Sequence, residues 1–366
     1  MRSNIFEDLF VLEMTNNHQG NLDRGFEIVR QFSRIVRFNN VRCAIKLQFR
    51  DIDSFVHKDF RDREDIYYVR RVLDTKLTKD EYGELVNAIK KSGCIPITTP
   101  FDEKSVDLIE YFEMPMIKIA SSASNDWQLM ERIAKTKKPV IISVGGLSLK
   151  DLDDLVTFFE NRNIPMAINH CIAAYPTEDH DQQLNQIDYL KLRYPNNVIG
   201  LSSHEYGDWH SSLLIAYAKG ARIFERHIDI DSDGKKIAKY SSLPYQIDAW
   251  FKAWHRAELL CGSAGTSRLL PIKQEDDYLN SYIRGVYAKR DLSEGDMLTD
   301  EDIYMAIPLL KGQLSTRELM LGRWGHRVLK EIKKDTPILI DKVDTPYSED
   351  EMLKNIIYER GLEHDY

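Results

Sequence analysis

Apolar positions over the first 265 residues alternate between two patterns. Short β-branched or apolar runs occupy residues 10–14, 43–48, 95–99, 116–119, 139–143, 166–170, 198–202 and 222–227. Between them lie longer stretches with apolar residues at helical spacing, among them 22–38, 80–91, 149–161, 183–193 and 211–219, with 244–260 closing the series. A strand-sized run followed by a helix-sized one, repeated, is the sequence form of parallel βαβ units. Eight such pairs over about 250 residues predict an α/β fold of the (β/α)8 or TIM barrel type. A doubly wound sheet is the competing arrangement. It normally uses fewer parallel strands and places a phosphate loop at the first turn, where this chain has Glu13 and then Asn17 to Gly20.

The pattern changes after the last helical stretch. Residues 262–277 mix Gly, Ser, Thr, Pro and both charges and read as a linker. Short strand-like runs at 283–288, 303–306 and 337–340, with turn signals at 294–296 and 333–335, predict a small mixed β domain. The charged stretch 344–366 predicts a terminal helix. The expected division is a barrel over 1–265, a linker over 266–280, a second domain over 281–345 and a charged tail over 346–366.

Composition narrows the function classes. The net charge is -8 over 366 residues, with Lys and Arg dispersed, so no nucleic-acid surface is predicted. No run approaches the roughly 20 apolar residues of a membrane span, and residues 1–8 lack the apolar core of a secretory signal. The cytoplasm is the expected compartment. Four cysteines stand singly, which argues against a disulfide framework or a zinc knuckle. Walker A, dinucleotide-fold, H-E-x-x-H and G-x-S-x-G signatures are absent.

A barrel predicts that its chemistry lies at the C-terminal ends of the strands. Those ends are polar throughout. The first delivers Glu13, Asn16, Asn17 and His18; the second Lys46 and Gln48; the third Thr99; the fourth Lys118, Ser121 and Ser122; the fifth Ser143 before Gly145-Gly146. The sixth runs through His170 toward Tyr175, the seventh ends in Ser202, Ser203 and His204, and the eighth in Glu225, Arg226 and His227. One such residue reads as a solvated loop position; a polar group on every strand reads as a convergent site. Lys46 and Lys118 sit inside apolar runs, where an unpaired ammonium is costly. With Thr and Ser hydroxyls they suit a small ligand carrying a phosphate and a carboxylate. In an acidic chain they are the expected concentration of cations. His204 and His227 end adjacent strands and could hold a divalent cation, although one structural and one acid–base histidine is the alternative. Glu13 is the natural proton-transfer carboxylate, Glu225 a supporting partner, and Cys171 a packed thiol rather than a nucleophile.

These stretches resemble the sialic acid (N-acetylneuraminate) synthase family of phosphoenolpyruvate-condensing barrels. The resemblance is carried by Leu-Glu-Met-Thr-Asn-Asn-His-Gln-Gly (12–20), Ile-Lys-Leu-Gln (45–48), Thr-Thr-Pro-Phe-Asp (98–102), Ile-Lys-Ile-Ala-Ser (117–121), Lys-Pro-Val-Ile-Ile-Ser-Val-Gly-Gly (138–146), His-Cys-Ile-Ala-Ala-Tyr-Pro-Thr (170–177), Gly-Leu-Ser-Ser-His (200–204) and Phe-Glu-Arg-His (224–227). Residues 288–299, with Gly322 and 332–335, resemble the family's antifreeze-like SAF domain. The resemblance implies Glu13 as catalytic glutamate and His204 with His227 as ligands of Mn2+ or Mg2+. It implies Lys46, Thr99, Lys118, Ser121, Ser143 and Ser202 as the phosphoenolpyruvate site, with Gln48 and Tyr175 toward the acceptor. It further implies a domain-swapped homodimer, with one chain's SAF domain over its partner's barrel mouth.

The departures fall mostly on the acceptor side. Ala123, Ala173, Ser203 and Ile237 stand where the family usually has Glu, Asn, Asp and Asp, and Ile307-Pro308 replaces Arg-Pro; Lys311 or Arg317 are the nearby cations. The expected activity is therefore condensation of phosphoenolpyruvate with an aldose or amino sugar, giving a nonulosonic 2-keto acid for a surface glycan. A non-catalytic sugar-acid-binding barrel and a metal-dependent sugar-phosphate aldolase or epimerase are the rival readings.

Overall fold

The computed structural model describes residues 5–231, 234–262, 268–321, 325–345 and 349–366. The chain forms two compact units, residues 1–263 and 264–366. The first is a closed eight-stranded parallel barrel, as the alternation predicts. Its strands are β1 (Leu9–Glu13), β2 (Cys43–Phe49), β3 (Ile95–Pro100), β4 (Ile117–Ile119), β5 (Val140–Ser143), β6 (Met166–Cys171), β7 (Val198–Ser203) and β8 (Ile223–Ile228). Each pairs with the next, and β1 pairs with β8 to close the ring. The surrounding helices follow local rules. Helix Leu22–Asn39 starts where the Asn21 side chain accepts the Arg24 N–H and ends at Asn40 in the left-handed region; its buried stripe is Ile28, Val29, Phe32 and Val36. Helix Lys79–Lys91 opens on a capping box of Thr78 and Glu81.

Side chains alternate across a strand, so each strand divides its residues between the barrel interior and the helix shell. Phe10, Leu12, Ile45, Leu47 and Ile142 join the helix-side core. Val11, Ala44, Ile97, Met116, Ile141, Ala167 and Ile223 form an apolar plug inside the ring. Two residues further along each of those strands stand Glu13, Lys46, Thr99, Lys118, Ser143, Asn169 and Glu225, all buried. The site is thus a polar layer resting on an apolar one. Gly200 interrupts it on β7 because a Cβ there would lie 2.2 Å from Asn169 Oδ1 and 2.8 Å from the Ile223 carbonyl.

The chain between β2 and helix Lys79–Lys91 is longer than a plain connection and carries the short helices Ile52–Phe55 and Tyr67–Asp74. Its mixed charges hide any single period in the sequence.

In the second unit, β9 (Gly285–Ala288) pairs antiparallel with β10 (Ile303–Ala306), and the two-residue runs Arg327–Val328 and Val343–Asp344 pair with each other. The run 337–340 is not the expected strand. Pro337 has no N–H to continue a ladder, so the segment makes isolated bridges through Pro337 and Leu339 and then turns at Ile340–Lys342. The tail helix Glu351–Glu359 buries Ile357 with Val286, Leu314 and Ile338, and Arg360 pairs with Glu318 at 2.5 Å. Within the expected linker, helix Lys273–Tyr282 buries no residue, and residues 263–267 lie outside the described residues, as does Gly322.

Candidate active site

The polar layer lines one small inner cavity. Glu13, Lys46, Gln48, Thr99, Lys118, Ser121, Ser143, Tyr175, Ser202, His204 and His227 all border it, with Ala120, Cys171 and Glu225. Every candidate residue singled out at the strand ends for substrate, metal or proton transfer therefore faces the same space.

Its charges are arranged around Lys46. The Lys46 ammonium pairs with Glu13 Oε2 and, at 2.6 Å, with Glu225 Oε1. Lys118 Nζ donates to Ser143 Oγ at 2.6 Å and to the Ile119 carbonyl at 3.0 Å, and lies 3.8 Å from Glu225 Oε2. Asn169 Nδ2 donates to Glu225 Oε2 at 3.3 Å. Two ammoniums face two carboxylates, so the cluster is neutral when all four are ionised, not the net concentration of cations that the sequence suggests. Glu225 is the bridge between the lysines.

The two carboxylates are pushed in opposite directions. Burial raises Glu13 above the usual carboxylate value despite the opposing pull of Lys46. Burial also acts on Glu225, but Lys118 and Lys46 more than reverse it and hold that group low. Such a split assigns a proton-exchanging role to one acid and a fixed charge to the other. Glu13 Oε1 is oriented by the Thr15 N–H at 2.7 Å. Burial pulls Lys118 down to about 8, while the two carboxylates overcome burial at Lys46 and keep it charged.

His204 and His227 lie with ring centroids 5.2 Å apart. Burial lowers His204 to about 4 and, with His204 and Lys46 nearby, lowers His227 well below its ordinary value, so both imidazoles are neutral. His204 Nδ1 donates to the Ile172 carbonyl at 2.9 Å, which leaves Nε2 with a free lone pair, and His227 Nδ1 is engaged by Thr15 Oγ1 at 2.8 Å. Neutral rings fixed through Nδ1 are the donor chemistry a divalent cation takes. No group of three or more His, Cys, Asp or Glu suited to a metal occurs among the described residues. The pair fits a cation whose other positions go to water and substrate.

Some strand-end residues do not reach the cavity. Strand parity explains it: His170 and Arg226 alternate with inward-facing neighbours. His170 bonds the Gln182 carbonyl, and Arg226 pairs with Glu205 at 2.6 Å in the shell. Asn17 holds the Ile228 carbonyl. The Gly145 N–H donates to Ser121 Oγ at 3.0 Å. Cys171 is buried, as expected, yet borders the cavity, with its thiol raised by burial. Asn169 escaped the sequence reading; it stands two residues before Cys171 on the inward face of β6, and parity would have found it.

Gln48, Ala120, Ser121, Tyr175 and His227 line both the inner cavity and an outer chamber of about 870 Å³. Tyr175 has its ring 4.2 Å from His204 and 5.3 Å from Tyr240. Ala173 also lines the outer chamber.

The comparisons with known proteins give the family. Residues 41–265 match the NeuB family profile, and residues 283–344 match the SAF domain. The chain belongs to the NeuB family. The solved structure of a spore coat polysaccharide biosynthesis protein E from Chromobacterium violaceum matches with a TM-score of 0.86 at 35% identity, covering 92% of this chain and 100% of that one. The N-acetylneuraminate-9-phosphate synthase of Drosophila melanogaster is 26% identical over 90% of this chain and 94% of its own length. The pseudaminic acid synthase of Campylobacter jejuni is 25% identical over 87% and 93%. Two of these three relatives are named as synthases of different sugar acids. No described helix of this NeuB-family chain is long and apolar enough to cross a membrane.

Proposed function

We propose that the chain is a synthase that condenses phosphoenolpyruvate with the open-chain aldehyde of an aldose or amino sugar and releases inorganic phosphate. The observation that carries this reading is the inner cavity, where two lysines and four hydroxyls surround an oppositely shifted carboxylate pair beside a larger outer chamber. Lys46 and Lys118 hold the phosphate and carboxylate of the donor, and Ser121, Ser143, Ser202 and Thr99 direct its oxygens. Thr99 Oγ1 is buried without a hydrogen-bond partner in the protein and is available to the ligand. Gln48 and Tyr175 orient the aldehyde end of the acceptor.

His204 and His227 would hold Mn2+ or Mg2+, which supplies Lewis-acid polarisation of the aldehyde when bound. The chain's own groups manage the protons. As the C2=C3 π pair of phosphoenolpyruvate forms a bond from C3 to the aldehyde carbon, the aldehyde oxygen takes a proton from Glu13 and becomes a hydroxyl. Water adds to C2, and its proton passes to the Glu13 carboxylate, whose burial suits it to carry one. Phosphate leaves with the electron pair of the C2–O bond and carries off the remaining hydroxyl proton, which forms the keto group. Glu225 stays ionised and keeps the two ammoniums together as the charge moves. The product is a nonulosonic 2-keto acid, made in the cytoplasm by a dimeric enzyme.

Phosphate release measured with phosphoenolpyruvate, Mn2+ or Mg2+ and a panel of aldoses and hexosamines tests the proposal. Release with at least one acceptor is expected. Binding of phosphoenolpyruvate without release under either metal would overturn it in favour of a non-catalytic barrel. Failure to bind phosphoenolpyruvate while a sugar phosphate is cleaved would point to an aldolase.

A further inference from the structure

The outer chamber is lined by aromatic rings and two guanidiniums, and no Asp or Glu among the described residues borders it. Arg50 follows β2 and Arg71 lies on helix Tyr67–Asp74, both in the long connection after β2. Other arginines of that connection have carboxylate partners: Arg61 pairs with Asp53 at 3.3 Å, Arg63 with Asp65 at 2.5 Å and Arg70 with Asp74 at 3.2 Å. Arg50 and Arg71 form no ion pair among the described residues. Arg50 is held by neutral oxygens, Gln48 Oε1 at 2.7 Å and Asn16 Oδ1 at 3.4 Å, with Phe101 stacked 3.9 Å from the guanidinium, and its Nε is buried without a partner. The Arg71 guanidinium is hydrogen-bonded by the phenols of Tyr67 and Tyr240. The two cations are close enough to repel, since Arg71 opposes the charge on Arg50.

Two half-buried guanidiniums that face one chamber, with no carboxylate of the described residues at ion-pair distance and Glu13 and Asp102 acting on Arg50 only from further away, are an oxyanion site awaiting its ligand. We infer that Arg50 and Arg71 bind an oxyanion carried by the acceptor sugar at the end away from its aldehyde, and so set acceptor specificity. The inference rests on the condensation proposed above. Because the aldehyde carbon must stay free to react, the oxyanion is a substituent elsewhere on the sugar, either a phosphate monoester or a carboxylate.

The test compares three acceptors on the full chain with phosphoenolpyruvate and Mn2+: a neutral N-acetylhexosamine, its 6-phosphate and the corresponding hexuronate. One charged acceptor should exceed the neutral sugar in kcat/KM, and which one does identifies the oxyanion. Arg71→Gln and Arg50→Gln should each cut that advantage about 10- to 100-fold, mainly through KM. Arg71→Lys should recover only part, because a point charge lacks the fork. Calorimetric binding of the charged and neutral sugars without phosphoenolpyruvate supplies a readout independent of turnover, and thermal unfolding confirms that each variant is folded. Equal use of neutral and charged acceptors, or an equal loss on both in folded variants, would overturn the inference while leaving the condensation intact. Arginine-dependent binding of a charged sugar with no phosphate release would sustain the subsite and sink the condensation.

Discussion

The inner cavity and the outer chamber treat cations differently. Inside, Lys46 and Lys118 are surrounded by Glu13, Glu225 and hydroxyls, and the cluster is neutral before any ligand arrives. Outside, Arg50 and Arg71 face the chamber bonded to amides and phenols and stacked on a ring, with no ion pair among the described residues. The difference follows from the cost of burial. An ammonium sealed in a barrel interior needs a counter-ion at all times, whereas a guanidinium at the edge of an open chamber keeps part of its hydration. The inner site must therefore rearrange protons to take an anion, and the outer one need not.

The largest expected effect tests the proton-exchanging half of the inner cluster. Glu13→Gln keeps the shape and leaves Glu225 on Lys46, so the fold should hold while kcat falls by about 10²- to 10⁴-fold; single-turnover phosphate release measures it, and unchanged turnover would break the assignment. Glu225→Ala removes the fixed charge instead. Two buried ammoniums would then share only Glu13, and stability should drop by about 3–5 kcal/mol in denaturant unfolding. A smaller effect separates the two chambers by pH. Lys118 titrates at about 8, carrying its charge below that value and losing it above. The affinity for phosphoenolpyruvate should therefore be flat below pH 8 and fall by up to about tenfold per unit above it. Acceptor affinity, resting on arginines, should not follow that fall. Smallest is Ser143→Ala, which deprives Lys118 of one hydroxyl and should cost about 1 kcal/mol in donor binding, read as a roughly fivefold rise in KM.

Much of the barrel was legible because its signals are local. Helix Leu22–Asn39 is announced by Asn21 and its apolar stripe, and β2 by an uninterrupted apolar run. The inward residues were legible too, through the resemblance and through the polar interruptions at Lys46 and Lys118. Less legible were residues whose partner is remote. Nothing near Glu225 in the chain says that it bridges Lys46, which lies 179 positions away. Arg50 and Arg71 sit among aspartates and arginines that look alike in sequence, and only folding sorts them into paired and unpaired. In the second unit, the run 337–340 read as a strand by composition, and Pro337 together with the tail helix decided otherwise.

By itself the sequence determined the eight strands and the polar layer they carry, because strand parity is a two-residue rule that needs no distant partner. Only the tertiary structure decided which charges cancel. That depends on closing β1 against β8, which brings Glu13 beside His227 in register, sets both carboxylates around Lys46, and leaves the arginines of the long connection facing the chamber alone.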